Sequence, residues 1–321
     1  MGNNVSPVRN TRAMGKKSKI SNGVRIIKSI KEMSSISEAI RQKGKTIGFV
    51  PTMGALHKGH ISLIRQANKE NDFVIVSIFV NPTQFGPKED FKKYTRNLKQ
   101  DTEICKKEGV DMIFFPTPDS MYPKNYKTYV TVNDLSDRLC GKFRPGHFKG
   151  VTTVVSKLFN IAQPSVAYFG QKDAQQSIII KRMAQDLNMP VKIKVMPTIR
   201  EADGLATSSR NLYLNQEERE DAAVLYQALI TAKKLINQGN LNSSRVIQKM
   251  RQLISKKKSA KIQYIEIVDQ ENLTPLHKIR GKLLIALAVF IGKTRLIDNI
   301  IVKQGRFSSQ SKSVPFKGTL Y

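Results

Sequence analysis

The sequence predicts an α/β protein with a parallel sheet in its N-terminal part and a smaller α+β domain after it. Two observations indicate this architecture. Between about residues 25 and 198, apolar strand-like runs alternate with helical stretches, which is typical of consecutive βαβ units. From about residue 199 the order changes, because two long helical stretches come before three strands. A chain of 321 residues, 40% of them hydrophobic, can bury the core that such a fold needs.

Residues 25–198 are predicted to form one Rossmann-like domain. Its candidate strands are short runs rich in β-branched and aromatic residues, and its candidate helices are the longer stretches between them. Strands are expected at residues 46–50, 73–80, 112–115, 166–169 and 191–196, and helices at residues 57–70, 97–108, 150–162 and 173–188. This alternation predicts parallel strands with helices packed on the sheet.

Residues 199–303 are predicted to form the second, smaller domain. Helices are expected at residues 216–237 and 243–257, and strands at residues 263–268, 283–290 and 296–302. Helices followed by consecutive strands indicate an α+β unit.

The two ends of the chain, residues 1–24 and 304–321, are polar and basic, and we expect them to be disordered. The first six residues match an N-myristoylation pattern, and the arginine-containing, acid-free stretch also fits an organelle transit peptide. Because such short patterns arise by chance, an untargeted extension is the leading interpretation.

A formal net charge of +29 is the most unusual property of the composition. It is compatible with a nucleic-acid-binding protein, because phosphate contacts need lysine and arginine. The charges are spread over the whole chain, and the densest run is short, at residues 256–258. The favoured interpretation is therefore a lysine-rich surface that attracts small anionic substrates, without a specific nucleic-acid partner.

Hydropathy and cysteine content predict a cytoplasmic protein. No run approaches the ~18 apolar residues needed to cross a bilayer, so we expect no transmembrane segment. The two cysteines, Cys105 and Cys140, do not suggest a disulfide framework, and a reducing compartment fits them better.

The stretch PTMGALHKGH, residues 51–60, lies where a predicted strand turns into a helix. Such a turn directs backbone N–H groups and the positive end of the helix dipole at an anion. His57 and His60 share one helix face and can donate hydrogen bonds to phosphate oxygens. Gly59 weakens the helix by about 1 kcal/mol relative to alanine, and close approach of a flat ligand would offset this.

Two other interpretations of these histidines remain open. His-x-x-His could bind a metal, with His147 or a carboxylate as third ligand, although helical zinc pairs usually lie at positions i and i+4. The histidines could also have no functional role. Phosphate binding is preferred because the turn supports it independently.

Three further stretches carry polar side chains that suit a nucleotide and a hydroxy acid. Gln84, in a loop after a strand, both donates and accepts hydrogen bonds, but from the residues alone an ordinary turn residue is the favoured interpretation. Lys172 and Asp173 follow a strand and form a second anion corner, or simply a helix start. The hydroxyls and guanidinium of residues 207–210 can wrap phosphates, or form a serine-rich interdomain loop. The stretch RPGHF, residues 144–148, either shapes the site or is a structural turn.

The stretch GFVPTMGALHKGH, residues 48–60, resembles the His-x-Gly-His signature of the nucleotidyltransferase superfamily, which includes class I aminoacyl-tRNA synthetases. More narrowly, the chain resembles the pantothenate synthetase (pantoate–β-alanine ligase) family. The resemblance covers roughly residues 25–303 and continues through residues 78–98, 143–160, 168–176, 200–214 and 292–300.

This resemblance implies an ATP-dependent ligase of coenzyme A biosynthesis. It would condense pantoate with β-alanine, through a pantoyl adenylate, to give pantothenate, AMP and pyrophosphate. The resemblance further implies a homodimer, a C-terminal domain that acts as a lid, and Mg²⁺ that enters with ATP.

The resemblance also implies roles for individual residues. His60, His57 and Lys172 would be catalytic. Gln84 and Gln176 would bind pantoate, and Gln84 would also bind β-alanine. ATP binding falls to Met53, Gly54, Ala55, Leu56, His57, Lys58, Gly59, His60, Gly170, Gln171, Lys172, Asp173, Ile199, Thr207, Ser208, Ser209 and Arg210.

Two departures from the family pattern affect these expectations. Thr207 stands where relatives often carry Met or Leu, a change that a backbone contact to ATP would survive. Some relatives have several acids after a Tyr-x-Arg segment, whereas here residues 97–100 carry none before Asp101. A metal site on the protein is therefore not predicted, since magnesium bound through phosphates and water needs few protein ligands.

Overall fold

The structure, a computed structural model, describes residues 23–87 and 89–304 of the chain. The predictions about the basic extension and the C-terminal tail, including lipidation and transit signals, lie outside the described residues except at Gly23, Val24 and Gln304. Within the described part, no helix is both long enough and apolar enough to cross a membrane.

A six-stranded parallel sheet forms the centre of the N-terminal part. In chain order its strands are β1 (Arg25–Ile27), β2 (Ile47–Thr52), β3 (Phe73–Ile78), β4 (Met112–Phe114), β5 (Val166–Gly170) and β6 (Lys192–Met196). Across the sheet the order is β1-β4-β3-β2-β5-β6. From β2 the chain continues outward to β3 and β4, and it then returns to the other side of β2 to form β5. The direction of the strand order therefore reverses between β2 and β5.

Helices cover both faces of this sheet. They are α1 (Ile30–Gln42), α2 (Lys58–Glu70), α3 (Leu98–Lys107), α4 (Pro118–Met121), α5 (Cys140–Phe143), α6 (His147–Ala162) and α7 (Ala174–Asp186). One core contains α1, α6 and α7, and another contains α2 and α3 on the opposite face. Ile47, Phe49 and Val50 of β2 have no exposed area, as expected for a central parallel strand covered on both sides.

The C-terminal part packs three helices against a three-stranded antiparallel sheet. The helices are α8 (Gln216–Ala222), α9 (Val224–Asn237) and α10 (Ser243–Ile254), and the strands are β7 (Ala260–Asp269), β8 (Lys282–Ile291) and β9 (Thr294–Lys303). The strand order is β7-β8-β9. The apolar sides of α9, α10 and the sheet form a separate core.

The predicted fold class is confirmed, and all the predicted strands are present with ends shifted by a few residues. The single helix predicted at residues 216–237 is wrong, because the chain turns at Ala223 and forms α8 and α9. Asp221, near the end of α8, accepts a hydrogen bond from Ser259 and forms an ion pair with Lys257. These contacts attach α8 to the segment before β7, independently of α9. The division of the chain at residues 198 and 199 stays a prediction.

The strand β1 and the helix α1 were not predicted, and neither were the one-turn helices α4 and α5. The strand has only three residues, too few for a periodic pattern. Helix α1 mixes serines with charged residues, although it has a capping signal: Ser29 Oγ accepts a hydrogen bond from the N–H of Glu32.

Candidate active site

A cleft of about 230 Å³ opens at the carboxyl ends of β2 and β5. Its walls come from the turn after β2, from α6, from the start of α7 and from the segment after β6. Because the strand order reverses here, the cleft lies where open α/β sheets bind their ligands.

Most of the predicted site residues line this cleft together. They are Met53, His57, Gly59, His60, Gln84, Gly170, Lys172, Asp173, Gln176, Ile199, Thr207, Ser208, Ser209 and Arg210. The remaining predicted residues are absent from the lining that the described residues form, namely Gly54, Ala55, Leu56, Lys58 and Gln171.

The first corner, the turn from β2 into α2, is held from behind by Asp101 of α3. This carboxylate is 2% exposed and accepts hydrogen bonds from the N–H groups of Ala55 (3.0 Å) and Leu56 (2.8 Å). Gly54 and Ala55 have φ angles of 84° and 51°, so the turn is left-handed at two successive residues. Successive N–H groups in such a turn form an anion-binding concavity, and Asp101 already fills it.

Four backbone N–H groups of this turn already have partners within the protein, and the prediction that its backbone N–H groups receive phosphate stays a prediction. The N–H of Gly54 donates to Thr52 Oγ1, those of Ala55 and Leu56 to Asp101, and that of His57 to His60 Nδ1. Asp101 is likewise unsuited to hold Mg²⁺, because both of its oxygens serve the turn.

His57 and His60 cap α2 reciprocally. Nδ1 of His57 accepts from the N–H of Gly59 at 3.1 Å, and Nδ1 of His60 accepts from the N–H of His57 at 3.3 Å. A neutral imidazole carries its proton on the nitrogen that does not accept, so both rings present Nε2–H as a donor. The ring centroids lie 4.1 Å apart, which brings the two donors together at the cleft.

Both histidines are neutral near pH 7. Burial and the charge of Lys172 lower the pKa of His57 to about 4. Burial and the neighbouring His57 hold the pKa of His60 well below its usual value. The two rings therefore act as neutral hydrogen-bond donors rather than as fixed positive charges.

The cap that His57 forms on α2 gives a reason for a glycine at position 59, in addition to the approach of a ligand. A Cβ at this position would lie 2.8 Å from Cε1 of His57, a distance that real Cβ atoms essentially never show. Glycine is therefore needed so that the His57 ring can fold back onto the first turn of α2, a reason that the sequence did not reveal.

Gln84 lies in a short turn after β3 and is 9% exposed. Its Oε1 accepts from Nδ2 of Asn81 at 3.1 Å, and its Nε2 faces the sulfur of Met53 at 3.2 Å. Thioether sulfur is a weak acceptor, so the Gln84 amide N–H remains available to a carboxylate or hydroxyl in the cleft. Helix α6 packs close behind, where a Cβ on Gly150 would lie 2.4 Å from the carbonyl oxygen of Thr83.

Arg144 and His147 fix the backbone of Gln84, in agreement with the shaping role considered for their stretch. Nδ1 of His147 lies 2.7 Å from the carbonyl oxygen of Gln84, and Arg144 Nη1 lies 3.0 Å from His147 Nε2. Since guanidinium can only donate, Nδ1 of His147 carries the ring proton. Burial and Arg144 lower the pKa of His147 to about 4. Glu89 binds the same guanidinium through two 2.6 Å contacts.

Lys172 and Asp173 form the second corner, where β5 passes through a short turn (Gln171–Asp173) into α7. After burial, the charge of Lys172 is the next cause of the lowered pKa of His57, and Asp173 acts in the opposite sense. The Lys172 ammonium and the imidazole rings of His57 and His60 therefore lie in the same region of the cleft.

The 207–210 loop contributes four consecutive residues to the lining of the cleft. Ser208 Oγ accepts from the N–H of Arg210 at 3.3 Å, and the Arg210 guanidinium binds Asp90 through contacts of 3.0 and 3.1 Å. The Arg210 guanidinium also lies 6.0 Å from the ring of Tyr94. The N–H of Thr207 donates to the carbonyl of Ile199 at 3.0 Å, which ties the loop to the segment after β6.

Several lining residues were missed by the sequence analysis. The apolar wall comes from one stripe of α6: Val151, Val154, Val155 and Leu158. Their helical spacing is indistinguishable from that of ordinary core residues. Tyr94 and Thr198 also line the cleft, and no local pattern marks them.

The described residues do not assemble a metal-ligating cluster around the histidine pair. Within residues 23–87 and 89–304, no group of three or more His, Cys, Asp or Glu side chains could hold a metal ion. Nδ1 of His57 and of His60 is engaged in capping, and both ring nitrogens of His147 have partners. The metal interpretation of the histidine pair therefore lacks a third ligand in this part of the chain.

Comparisons with known sequences point to one family. A family model described as pantoate-beta-alanine ligase matches residues 25–301. A pantothenate synthetase from Fervidobacterium nodosum is 55% identical over 279 residues, which are 87% of this chain and 99% of that protein.

Solved structures agree with this result. The crystal structure of pantothenate synthetase from Thermus thermophilus matches with a TM-score of 0.81 and 40% identity, covering 86% of this chain and 99% of that one. Pantoate-beta-alanine ligase from Francisella tularensis, complexed with beta-gamma ATP and beta-alanine, matches with a TM-score of 0.72 and 40% identity, covering 87% and 97% of the two chains.

Proposed function

Because the chain belongs to the pantoate–β-alanine ligase family, we propose that it condenses pantoate with β-alanine in an ATP-dependent reaction. The observation that supports this most strongly is the content of the cleft. Donors for a triphosphate (His57, His60, Lys172 and the 207–210 loop) lie in the same cavity as two amides, Gln84 and Gln176.

The reaction proceeds in two steps. The pantoate carboxylate attacks the α-phosphorus of ATP, so that the bond to the bridging oxygen breaks and pyrophosphate leaves. The amine of β-alanine then attacks the acyl carbon of pantoyl adenylate, and AMP departs as pantothenate forms. Both steps need accurate placement and stabilisation of charge rather than a protein nucleophile.

The first corner and Lys172 stabilise the negative charge that develops on the triphosphate. The Nε2–H groups of His57 and His60 donate to phosphate oxygens without changing their own protonation, because the pKa of each ring lies well below 7. Lys172 adds a full positive charge beside them. Ser208, Ser209 and Arg210 hold the pyrophosphate, for which Arg210 exchanges its bond with Asp90 for phosphate oxygens.

The pantoate pocket lies between Gln84 and Gln176. The Gln84 amide donates to pantoate, its orientation fixed by the bond from Asn81 to Oε1. The apolar stripe of α6 accommodates the methyl groups of pantoate. Gln84 also contacts β-alanine when the adenylate has formed.

Magnesium enters with ATP. Asp173 is the one carboxylate among the described residues that line the cleft. Magnesium would keep several water ligands and would need few ligands from the protein, among which Asp173 is the lining carboxylate that could contribute. The ion would supply positive charge beside the phosphates, and the side chains of the two corners orient the triphosphate.

We further propose a cytoplasmic homodimer whose C-terminal part acts as a lid over the nucleotide. The proposals of a dimer and a lid rest on the family resemblance. The free, buried Cys105 and Cys140 suit a reducing compartment. Light scattering coupled to size-exclusion chromatography tests the dimer, and a monomer at micromolar concentration contradicts it.

The function is tested by incubating the purified chain with ATP, Mg²⁺, pantoate and β-alanine and measuring AMP and pantothenate. We expect equal amounts of both products, and no AMP when pantoate is omitted. Replacement of pantoate by other small hydroxy acids is the matched control. AMP release that does not depend on pantoate would contradict the substrate assignment.

A further inference from the structure

The second corner is held by Asn299, a residue of β9 in the C-terminal sheet. The side-chain Nδ2 donates to the carbonyl oxygens of Gln171 (2.9 Å) and Lys172 (2.8 Å). Its Oδ1 accepts from Nε2 of Gln171 at 2.9 Å. Asn299 is 4% exposed, so a buried amide with all of these bonds satisfied fixes the backbone on both sides of Lys172.

The corner has little capping of its own. Gly170 precedes the short turn and Asp173 precedes α7, and neither residue makes a capping bond from a side chain in the described structure. Ser177 Oγ donates to the carbonyl of Gly170 at 3.3 Å. The next two carbonyl oxygens, those of Gln171 and Lys172, accept the hydrogen bonds from Asn299.

Asp298, the preceding residue of β9, anchors the opposite wall of the cleft. It binds the Arg200 guanidinium through contacts of 2.6 and 3.0 Å, and Arg200 also donates to the carbonyl of Gly204 at 3.0 Å. Arg200 follows Ile199 directly and begins the loop that leads to residues 207–210. Two consecutive residues of β9 thus set the distance between the Lys172 corner and the segment that carries Ile199.

We propose that Asn299 is a positioning residue for adenylation: it fixes the backbone at Gln171 and Lys172 and thereby directs the Lys172 ammonium to the triphosphate. The inference rests on the proposed function, in which Lys172 stabilises phosphate charge. A lysine ammonium sits on a flexible four-carbon stem, so the place it can reach depends on where its backbone is held. Through this bond the C-terminal sheet contributes to the reaction without touching substrate.

A double-mutant cycle between Asn299 and Lys172 tests the proposal. Asn299→Leu keeps the size of the side chain and removes both donors. We expect it to lower kcat/KM for ATP by about 10- to 100-fold, because misplacement of a catalytic group has effects of this order. In a Lys172→Ala background the same change should lower kcat/KM by less than about twofold, since coupled residues are not additive.

Two further variants separate positioning from general damage to the fold. Asn299→Asp keeps the size and an acceptor for Gln171 but has no donor for the two carbonyls, so it should reproduce the loss and serves if Asn299→Leu does not fold. Thr294→Val, a buried change at the start of the same strand, should leave kcat/KM within about twofold of wild type.

The activity of the wild-type protein is measured first, and the activities of the variants are compared with it. If folded wild-type protein releases no pantoate-dependent AMP, the proposed function fails. The cycle is then completed by calorimetric titration with a non-hydrolysable ATP analogue, which needs no turnover. Equal fold-losses from Asn299→Leu in the wild-type and Lys172→Ala backgrounds would overturn the positioning role, as would a folded Asn299→Leu protein with wild-type kcat/KM and analogue affinity.

Discussion

The two strand-to-helix corners of the cleft have the same topology and opposite means of support. The first, after β2, is held within the N-terminal part: His57 and His60 cap each other's turn, and Asp101 bonds Ala55 and Leu56. The second, after β5, lacks side-chain caps among the described residues and is bonded to Asn299 of the C-terminal sheet.

This difference separates the two corners by the part of the chain that supports each of them. The bonds described for the first corner join residues 55–101 only and involve no residue of the C-terminal sheet. The position of the second corner depends on the C-terminal sheet. We therefore expect the imidazole donors to be preorganised by the N-terminal part alone, and the place of the Lys172 ammonium to depend also on Asn299.

The largest expected effect comes from His60, which is both a cap and a donor. His60→Ala removes both functions, whereas His60→Asn keeps an acceptor for the N–H of His57 and lacks Nε2–H. Both variants should lose about 10²- to 10³-fold in adenylation, as expected for loss of one preorganised donor. Only His60→Ala should also lose about 1 kcal/mol of unfolding free energy. Pyrophosphate release and urea denaturation measure the two quantities, and near-normal turnover of His60→Asn would refute the donor role.

Glycine substitutions compare the two corners directly. In Gly59→Ala the new Cβ, 2.8 Å from His57 Cε1, must displace the ring. Loss of the cap costs about 1 kcal/mol and the better helix former returns about as much, so stability should barely change. The value of kcat/KM for ATP should nevertheless fall about tenfold through displacement of the donor.

Gly170→Ala is the matched variant at the second corner, because a Cβ there meets no protein atom within 4 Å. The protein should tolerate it, and any loss of ATP affinity would report contact with the nucleotide alone. Thermal unfolding and ATP titration of the two variants make the comparison. If Gly59→Ala retains wild-type kcat/KM for ATP, then Gly59 is not required to place the His57 ring.

Asp101→Asn tests the support behind the first corner. The amide can accept at one atom only, and its NH₂ group would face a backbone N–H, so one buried donor loses its partner. We expect a loss of about 1–3 kcal/mol in unfolding free energy and a raised KM for ATP. Asp119→Asn, at an exposed carboxylate, is the control. An Asp101→Asn protein as stable as wild type would contradict the support role.

The pH dependence of stability is the smallest expected effect. The pKa of His57 and of His147 lies at about 4 in the folded protein, below the usual 6.5. The unfolded chain therefore binds protons that the folded chain does not, and the unfolding free energy should fall as pH decreases from 6.5 towards 4. Above 6.5 these groups contribute no slope. Urea denaturation at pH 7.5, 6 and 5 measures this, and His60→Asn should reduce the slope, since the pKa of His60 is lowered too.

Much of the fold could be predicted from the sequence, because the central strands are buried on both faces and form continuous apolar runs. β2 and β3 are examples: their pattern is set by burial alone. Element ends and the break at Ala223 could not be predicted, since they depend on bonds such as that from Ser259 to Asp221.

The candidate site was predictable where chemistry is local in sequence, as in His57, His60 and Lys172. Its supports were not. Asp101 bonds Leu56 across 45 positions, and Asn299 bonds Gln171 across 128 positions. Nothing in the residues near either corner specifies such a partner, because long-range contacts appear only when the sheets are assembled. At the first corner the local pattern gave no sign that Asp101 accepts the N–H groups of Ala55 and Leu56.

Exchange of labelled pyrophosphate into ATP in the absence of β-alanine shows whether this cleft makes pantoyl adenylate. Reversal of the first step alone supports such exchange. We expect wild-type protein to catalyse an exchange that requires pantoate, and folded His60→Asn protein to lose it. No pantoate-dependent exchange by folded wild-type protein, or undiminished exchange in His60→Asn, would contradict the proposed adenylation.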